Sequence, residues 1–163
     1  MAILKSTPIS TAAFGAWWLK NITLYKVNNA TTNLNVAYVP YNGTYVLTTT
    51  PARLSLEVNA TKASDVTFAN VMNAFDTELQ RQYSLKNGNP TINSFEVKIL
   101  NVMAQNPDRP VSIFSQLIVN GETKTLMIAN VFTLAGSDST FAGVLNSVID
   151  EFGRQGKLAG KID

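Results

Sequence analysis

The 163-residue sequence contains no cysteine and no histidine. Without cysteine the chain forms no disulfides, so its folding does not depend on an oxidising compartment. The two absences also exclude thiolate and imidazole metal ligands and catalysis by a cysteine–histidine pair. The neighbouring carboxylates Asp76 with Glu78, and Asp150 with Glu151, diverge on a helix because of their spacing. We therefore expect no enzymatic activity, no catalytic residue, no metal site and no cofactor.

Charged residues are also scarce, at 15% of the chain against about 25% in typical soluble domains. The 13 lysines and arginines and the 11 aspartates and glutamates are scattered without a basic run. The sequence thus lacks the basic stripe of a strongly electrostatic nucleic-acid binder. A surface with so few charges favours contact with other subunits, and we expect a homo-oligomer.

Long apolar runs are missing too. No segment approaches the roughly 20 consecutive apolar residues of a transmembrane helix, and residues 1–8 lack the apolar run of a signal peptide. We expect a protein that is made in the cytoplasm, is not secreted and has no membrane partner.

What the sequence does contain is an internal repeat. Residues 65–82 (DVTFANVMNAFDTELQRQ) and 138–155 (DSTFAGVLNSVIDEFGRQ) are identical at nine of eighteen positions when the chain is shifted by 73 residues. Unrelated segments of this length would share about one identity at average amino-acid frequencies. The sequence therefore predicts a duplication.

Both copies of the repeat have the apolar spacing of an amphipathic helix. Apolar residues fall at offsets of 0, 3, 4, 7 and 11 from Phe68, and the second copy repeats these offsets from Phe141. Asp65 and Asp138 are suited to cap the two helices. The second helix is expected to stop at Gly153 or Gly156.

Each predicted helix also carries a glutamate three residues before an arginine. These pairs are Glu78 with Arg81 and Glu151 with Arg154. The spacing predicts a solvated pair on the outer side of each helix or, alternatively, a pair of interface salt bridges.

Sequence typical of strands precedes each helix. In the second copy, apolar residues alternate over 95–99 and 111–119, Asn120-Gly121 is a two-residue hairpin signal, and 123–132 are predicted as one returning strand. The first copy has corresponding strands at 17–27, at 34–41 and from 44 onward, with Asn42-Gly43 as the hairpin and Pro51 as an interruption.

We therefore predict an α+β fold. The prediction is a tandem βββα duplication with pseudo-twofold symmetry, in which antiparallel sheets pack with two amphipathic helices. The expected organisation is an N-terminal arm at 1–15, a first unit at 16–83, a linker at 84–94, a second unit at 95–156 and a tail at 157–163. Together these form one compact domain.

Aromatic residues are concentrated in the first unit. Trp17 and Trp18 are adjacent in a predicted strand, so their side chains leave opposite faces and only one enters a core. The other packs under a neighbouring element or contacts a partner, where tryptophan is a common anchor. The candidate partner-interface residues are Trp17, Trp18, Tyr25, Tyr38, Tyr41 and Tyr45. Packing on the sheet and base stacking are the alternative interpretations.

The first 45 residues resemble a known class of proteins. Met1-Ala2-Ile3-Leu4-Lys5, then Gly15-Ala16-Trp17-Trp18-Leu19-Lys20-Asn21-Ile22, a turn, and a strand ending in Val39-Pro40-Tyr41 resemble the start of small virion proteins of tailed bacteriophages. The resemblance implies a capsid decoration, head-to-tail or tail component. Such a protein resides in the virion and works by contact with itself and with other virion proteins. The resemblance assigns a role to no individual residue.

Two other functions stay open. Doubled strand-rich units with one helix each also resemble the whirly/PC4-like type of single-stranded nucleic-acid-binding protein. Trp18, Lys20, Lys26, Tyr38 and Tyr45 would then stack on bases and contact phosphates, although the near-neutral charge disfavours this function. A phage-encoded inhibitor of a host protein is the third hypothesis, and the sequence does not separate it from the others.

Overall fold

The computed structural model describes residues 4–5, 16–27, 30–41, 54–58, 60–103 and 112–158, with side chains for 60–101, 112–131 and 133–158. Within these ranges the chain forms seven strands and three helices. The strands are β1 (Leu4–Lys5), β2 (Ala16–Val27), β3 (Ala30–Tyr41), β4 (Leu54–Val58), β5 (Phe95–Met103), β6 (Ser112–Val119) and β7 (Glu122–Ile128), and the helices are α1 (Val66–Lys86), α2 (Val131–Ser137) and α3 (Ser139–Leu158). The fold is α+β, as the sequence predicts.

All seven strands belong to one antiparallel sheet. Its order is β4-β3-β2-β5-β6-β7, and β1 pairs with β2. Within the sheet β2, β3 and β4 follow one another as neighbours, and so do β5, β6 and β7. The two groups meet where β2 pairs with β5, with Ile22 opposite Val102. The sequence predicts separate sheets, and this prediction is wrong. The two groups of strands join into one sheet, because pairing β2 with β5 removes two strand edges that would otherwise be exposed.

The connection between β6 and β7 is the two-residue hairpin that Asn120-Gly121 predicts. Both residues have positive φ, 52° and 81°, as the tight turn with the twist of a β-hairpin requires. The Asn120 side chain also holds the segment that leads into β5. Its Oδ1 accepts from the backbone N–H of Asn93 at 2.7 Å and of Ser94 at 3.2 Å, and its Nδ2 donates to the Thr91 carbonyl at 2.9 Å.

The core lies between one face of the sheet and the apolar stripes of α1 and α3. The buried helix residues include Phe68, Met72, Phe75 and Leu79 in α1, and Phe141, Leu145, Val148 and Phe152 in α3. They pack in one cluster with strand residues that include Val97, Leu100, Ile113, Leu117 and Leu126. The stripes are the ones that the repeat predicts, except that Val71 and Val144 are only partly buried.

The prediction of one long strand over 123–132 is wrong. Strand β7 ends at Ile128, and Asn130 adopts a left-handed conformation with φ 52° that breaks the strand direction. The helix α2 then begins at Val131, whose side chain is fully buried. Val131 and the two residues after it have high strand propensity, but the burial of Val131 in the core overrides that preference.

The predicted helix ends also differ from the structure. Helix α1 continues to Lys86, two residues beyond the start of the predicted linker at 84, and α3 continues to Leu158, into the predicted tail. Gly153 and Gly156 do not stop α3, because both lie buried inside it. A helix-interior glycine costs about 1 kcal/mol relative to alanine, and the packing of α3 on the core offsets that cost.

Several predictions fall beyond the described residues. The Asn42-Gly43 hairpin, Pro51, the arm apart from β1, and residues 159–163 lie outside them. Among the helices that the structure describes, none is long and apolar enough to span a membrane.

Candidate functional site

A network of polar side chains joins the start of α1 to the second half of α3. Asp65 caps α1 by accepting from the backbone N–H of Phe68 at 3.0 Å. The same carboxylate binds Arg154 of α3, whose Nη2 lies 2.8 and 2.7 Å from Oδ1 and Oδ2. Arg154 also binds Glu151, from Nε to Oε2 at 2.8 Å and from Nη2 to Oε1 at 2.7 Å. Gln155 Nε2 donates to Asp65 at 3.2 Å and to Glu151 at 2.9 Å. We call Asp65, Glu151, Arg154 and Gln155 the first polar cluster.

A second network joins the start of α3 to the second half of α1. Asp138 caps α3 by accepting from the backbone N–H of Phe141 at 3.1 Å. Its Oδ2 accepts from Arg81 Nη2 at 2.6 Å and from Gln82 Nε2 at 3.3 Å. Arg81 and Gln82 both bind Glu78, at 2.7 Å from Nη2 and 3.0 Å from Nε2 to Oε1. We call Asp138, Glu78, Arg81 and Gln82 the second polar cluster.

The two clusters contain the same residue types at a constant spacing. Each member of the second cluster is 73 positions away in sequence from its counterpart in the first, and these four positions are among the nine identities of the repeat. Because each helix start contacts the far half of the other helix, α1 and α3 run antiparallel. The sequence predicts that the aspartates cap the helices, and it indicates no role for the glutamines. The identities of the repeat are the signal that would have linked all four.

The glutamates of the clusters are buried. Glu78 and Glu151 are each 3% exposed, whereas the side chains of Arg81 and Arg154 are 36% and 35% exposed. The interpretation as solvated pairs on the outer side is therefore wrong. Both glutamates flank the apolar stripe, so each is covered when the helices pack, and its arginine and glutamine supply the hydrogen bonds that a buried carboxylate requires.

The clusters fix the charge of their aspartates and arginines. The Phe68 backbone N–H, and then Arg154, hold the pKa of Asp65 below its ordinary value. The hydrogen bond from Arg81, and then that from Phe141, lower the pKa of Asp138. Contact with the glutamates, and then with the aspartates, raises the pKa of both arginines. Groups shifted in these directions hold their charge near neutral pH, so these aspartates and arginines are suited to joining the two helices through charged hydrogen bonds.

A cleft of about 350 Å³ opens beside the second polar cluster, between the end of α1, strand β7 and the α2–α3 junction. Leu85 and Met127, on its wall, are 55% and 51% exposed. Lys86 Nζ donates to the Met127 carbonyl at 2.9 Å, so this ammonium is held on the outer edge of β7. The lining residues are Gln82, Leu85, Lys86, Leu126, Met127, Ile128, Ala129, Leu134 and Asp138.

The sheet has a second face, opposite the helices. Strand β6 alternates between residues buried against the helices and half-buried residues of this other face. The register places Phe114 opposite Met127 of β7 and Gln116 opposite Ile99 of β5. The only lysine described on β5, Lys98, is paired with Glu96 at 3.1 Å. We call Ile99, Phe114, Gln116, Ile118 and Met127 the open face.

Five of the six predicted partner-interface residues lie on two neighbouring strands, β2 and β3. By register Trp17 is opposite Pro40, Trp18 opposite Val39, Tyr25 opposite Asn33 and Ile99, Tyr38 opposite Leu19 and Leu54, and Tyr41 opposite Ala16. Tyr45 lies outside the described residues. Since the side chains of these six residues are not among those described, their role as an interface stays a prediction.

Within the ranges that the structure describes, no group of three or more histidine, cysteine, aspartate or glutamate side chains could hold a metal ion. Comparisons of the chain with protein-family models, with curated proteins and with solved structures found no significant match.

Proposed function

We propose that this chain is a non-enzymatic structural component of a bacteriophage virion. It acts through protein–protein contacts, as a capsid decoration, head-to-tail or tail protein, and its partners are copies of itself and other virion proteins. The resemblance of the first 45 residues to small virion proteins supports the class of function. The observation that carries the proposal in the folded chain is the open face of the sheet.

The open face suits contact with protein. Ile99, Phe114 and Ile118 are half-buried by their neighbours and Met127 is exposed, so the face offers apolar area together with the amide of Gln116. The helices occupy the opposite side of the sheet. Glu96 of β5 lies opposite Ile118 on this face, and Lys98 is paired with it at 3.1 Å, so the two charges offset each other. Apart from this ion pair, the described residues of the face are apolar or uncharged polar groups, which are typical of the centre of a protein interface, where charged residues are depleted.

We further propose that the chain is a tandem βββα duplication with pseudo-twofold symmetry. Three observations support this proposal: the nine identities of the repeat, the strand order with β2 and β5 paired at its centre, and the two polar clusters of equal composition. A twofold operation that exchanges the halves would exchange α1 with α3 and one cluster with the other. Two like halves joined in this way form a rigid unit, which suits a building block of a larger assembly.

The direct test is to determine whether the protein is present in assembled particles. Phage particles are purified by density gradient from a lysate that expresses this chain, and their proteins are quantified by mass spectrometry. The proposal predicts a fixed number of copies per particle that resists washing with salt. A chain that stays with the soluble fraction, and is absent from particles, refutes it.

Binding of single-stranded nucleic acid is the second candidate. One observation favours it: β2 and β3, which carry Trp18, Tyr25 and Tyr38, belong to the same sheet as the open face, and a continuous sheet is what base-stacking proteins use. The pairing of Lys98 with Glu96 disfavours it. Titration with oligo-dT at two salt concentrations separates the two functions, since nucleic-acid binding requires high affinity that weakens steeply with salt.

A further inference from the structure

Strand β7 forms one end of the sheet, because no described strand pairs with it on the side away from β6. In a two-residue hairpin the residues that flank the turn, here Val119 and Glu122, form a hydrogen-bonded pair, and hydrogen-bonded and non-bonded pairs then alternate. Thr123, Thr125 and Met127 are the non-bonded residues of β7. Their backbone N–H and C=O groups therefore point away from β6, at the edge of the sheet.

One of these outward groups already has a partner. The Met127 carbonyl accepts a hydrogen bond from Lys86 at 2.9 Å. At the end of β7 nearest to α1, this acceptor is therefore already occupied. The remaining stretch of the strand, from Glu122 to Thr125, is exposed throughout. It presents the outward amide and carbonyl groups of two threonines, residues that favour strands. This stretch is a template for one more strand.

The charges of this stretch are self-complementary. Glu122 and Lys124 are 72% and 43% exposed in their side chains and form an ion pair at 2.9 Å. If an antiparallel copy of the same stretch is placed so that Thr123 faces Thr123, each Glu122 comes opposite a Lys124 of the other copy. A lysine on an edge strand usually opposes pairing, but in this register both lysines acquire a glutamate across the contact, and like charges do not meet.

We propose that β7 is a site of self-association, at which two copies of this chain pair edge to edge with Thr123 opposite Thr123. This inference rests on the proposed function, because it names the second copy as one partner of the assembly protein. Thr123 and its counterpart exchange two main-chain hydrogen bonds, and each Glu122 lies beside a Lys124 of the other copy. The twofold axis is perpendicular to the sheet, so the helices of both copies lie on one side and the two open faces join on the other.

The same kind of contact already exists within the chain. Strands β2 and β5 are the antiparallel neighbours that join the two groups of strands into one sheet. Pairing of β7 with β7 repeats that contact between molecules. The result is a continuous sheet across two copies, as β-strand addition gives in other protein complexes.

The test is the mass of the full chain in solution, measured by sedimentation equilibrium over a range of concentrations, with charge variants of the edge. The wild-type chain is expected to dimerise. Glu122→Lys places two lysines opposite two lysines and should raise the dissociation constant about tenfold or more, given two pairs changed from attraction to repulsion. Combining Glu122→Lys with Lys124→Glu restores opposite charges across the contact and should return the dissociation constant to within about threefold of wild type.

A second pair of variants tests the backbone contact. Thr123→Pro removes the outward N–H without removing a hydrogen bond to β6, and it should abolish the dimer. Thr123→Val keeps the backbone donor and should leave the dimer intact. Circular dichroism identifies any variant that fails to fold. A monomeric wild-type chain, or a dimer that neither Glu122→Lys nor Thr123→Pro weakens, overturns the pairing.

These outcomes are distinguishable from failure of the proposed function. If the chain is present in particles, but the Glu122 and Thr123 variants do not change its self-association, only the pairing through β7 is refuted. A chain that pairs through β7 but is absent from particles refutes the virion function and leaves the pairing in place.

Discussion

Arg154 binds the aspartate that caps the opposite helix, with its Nη2 2.7 Å from Oδ2 of Asp65. Arg81 makes the reciprocal contact with Asp138 at 2.6 Å. Neither helix is therefore capped by its own half of the chain alone. The carboxylate that satisfies the first-turn amide of each helix is held in place by a guanidinium from the other helix, so local helix formation and the packing of the two halves depend on each other.

Asp65→Ala is expected to lower the free energy of unfolding by about 1–2 kcal/mol, the cost of losing an N-cap side chain. The loss of the contact with Arg154 acts in the same direction. The measurement is urea denaturation followed by circular dichroism. Asp150→Ala, at an exposed position of α3, is the control and should change the free energy by less than about 0.5 kcal/mol. Equal losses in the two variants would contradict the capping role.

The stability of the chain should fall as the pH is lowered into the acidic range. Folding lowers the pKa of Asp65 and Asp138 below the ordinary 3.8. The unfolded chain therefore binds more protons than the native chain there, and the free energy of unfolding falls as the pH drops through the folded-state pKa. The two aspartates make their full contribution to the free energy of unfolding above about pH 5. In the variant with Asp65→Asn and Asp138→Asn, the free energy of unfolding measured by urea denaturation should fall less steeply between pH 5 and pH 2 than in wild type. An equally steep fall would contradict the assignment of this pH dependence to the two aspartates.

The substitution Asn120→Gly tests the contacts of the Asn120 side chain with residues 91–94 while it keeps the β6–β7 turn. Glycine tolerates the positive φ of 52° at this position, so the hairpin should persist. The three hydrogen bonds to Thr91, Asn93 and Ser94 are lost. We expect a loss of about 1–2 kcal/mol in the free energy of unfolding, since these exposed bonds contribute about 0.5 kcal/mol each. Hydrogen exchange should speed up at Ser94, and unchanged exchange there would refute the linker role.

Ser115→Ala is expected to stabilise the chain or leave it unchanged. Ser115 is fully buried on the helix-facing side of β6, and its hydroxyl has no hydrogen-bond partner. Removing a buried polar group that lacks a partner relieves a desolvation cost of about 1 kcal/mol. Thermal denaturation should show a melting temperature equal to or above that of wild type. A clear drop in this temperature would mean that the hydroxyl is hydrogen-bonded.

The sequence predicts the elements that have local signals. The helices follow from the spacing that starts at Phe68 and Phe141, and the β6–β7 hairpin follows from Asn120-Gly121, because periodicity and turn chemistry are local properties. The α+β class follows from the order of these elements. The pairing of β2 with β5 in a single sheet does not follow, because contact between strands so distant in sequence depends on tertiary packing.

The polar clusters are predicted only in part. The spacing of Glu78 and Arg81 indicates an ion pair, but not that Glu78 is buried or that Arg81 also binds Asp138. Those features depend on the antiparallel packing of α1 on α3, which no pattern within one helix specifies. Helix α2 is missed for a related reason. Val131 has a high intrinsic preference for strands, but in the fold it begins a helix in which its side chain is buried in the core.

The most direct test of the two-copy architecture is to compare Arg81→Met with Arg154→Met in urea denaturation. Each variant leaves a buried glutamate without its arginine, and each should lose about 2 kcal/mol in the free energy of unfolding. This is less than the 3–5 kcal/mol of a fully buried pair, because about a third of each arginine is exposed. If the halves are equivalent units joined by reciprocal contacts, the two losses should agree within about 0.5 kcal/mol. A large loss in one variant with a negligible loss in the other would contradict the account.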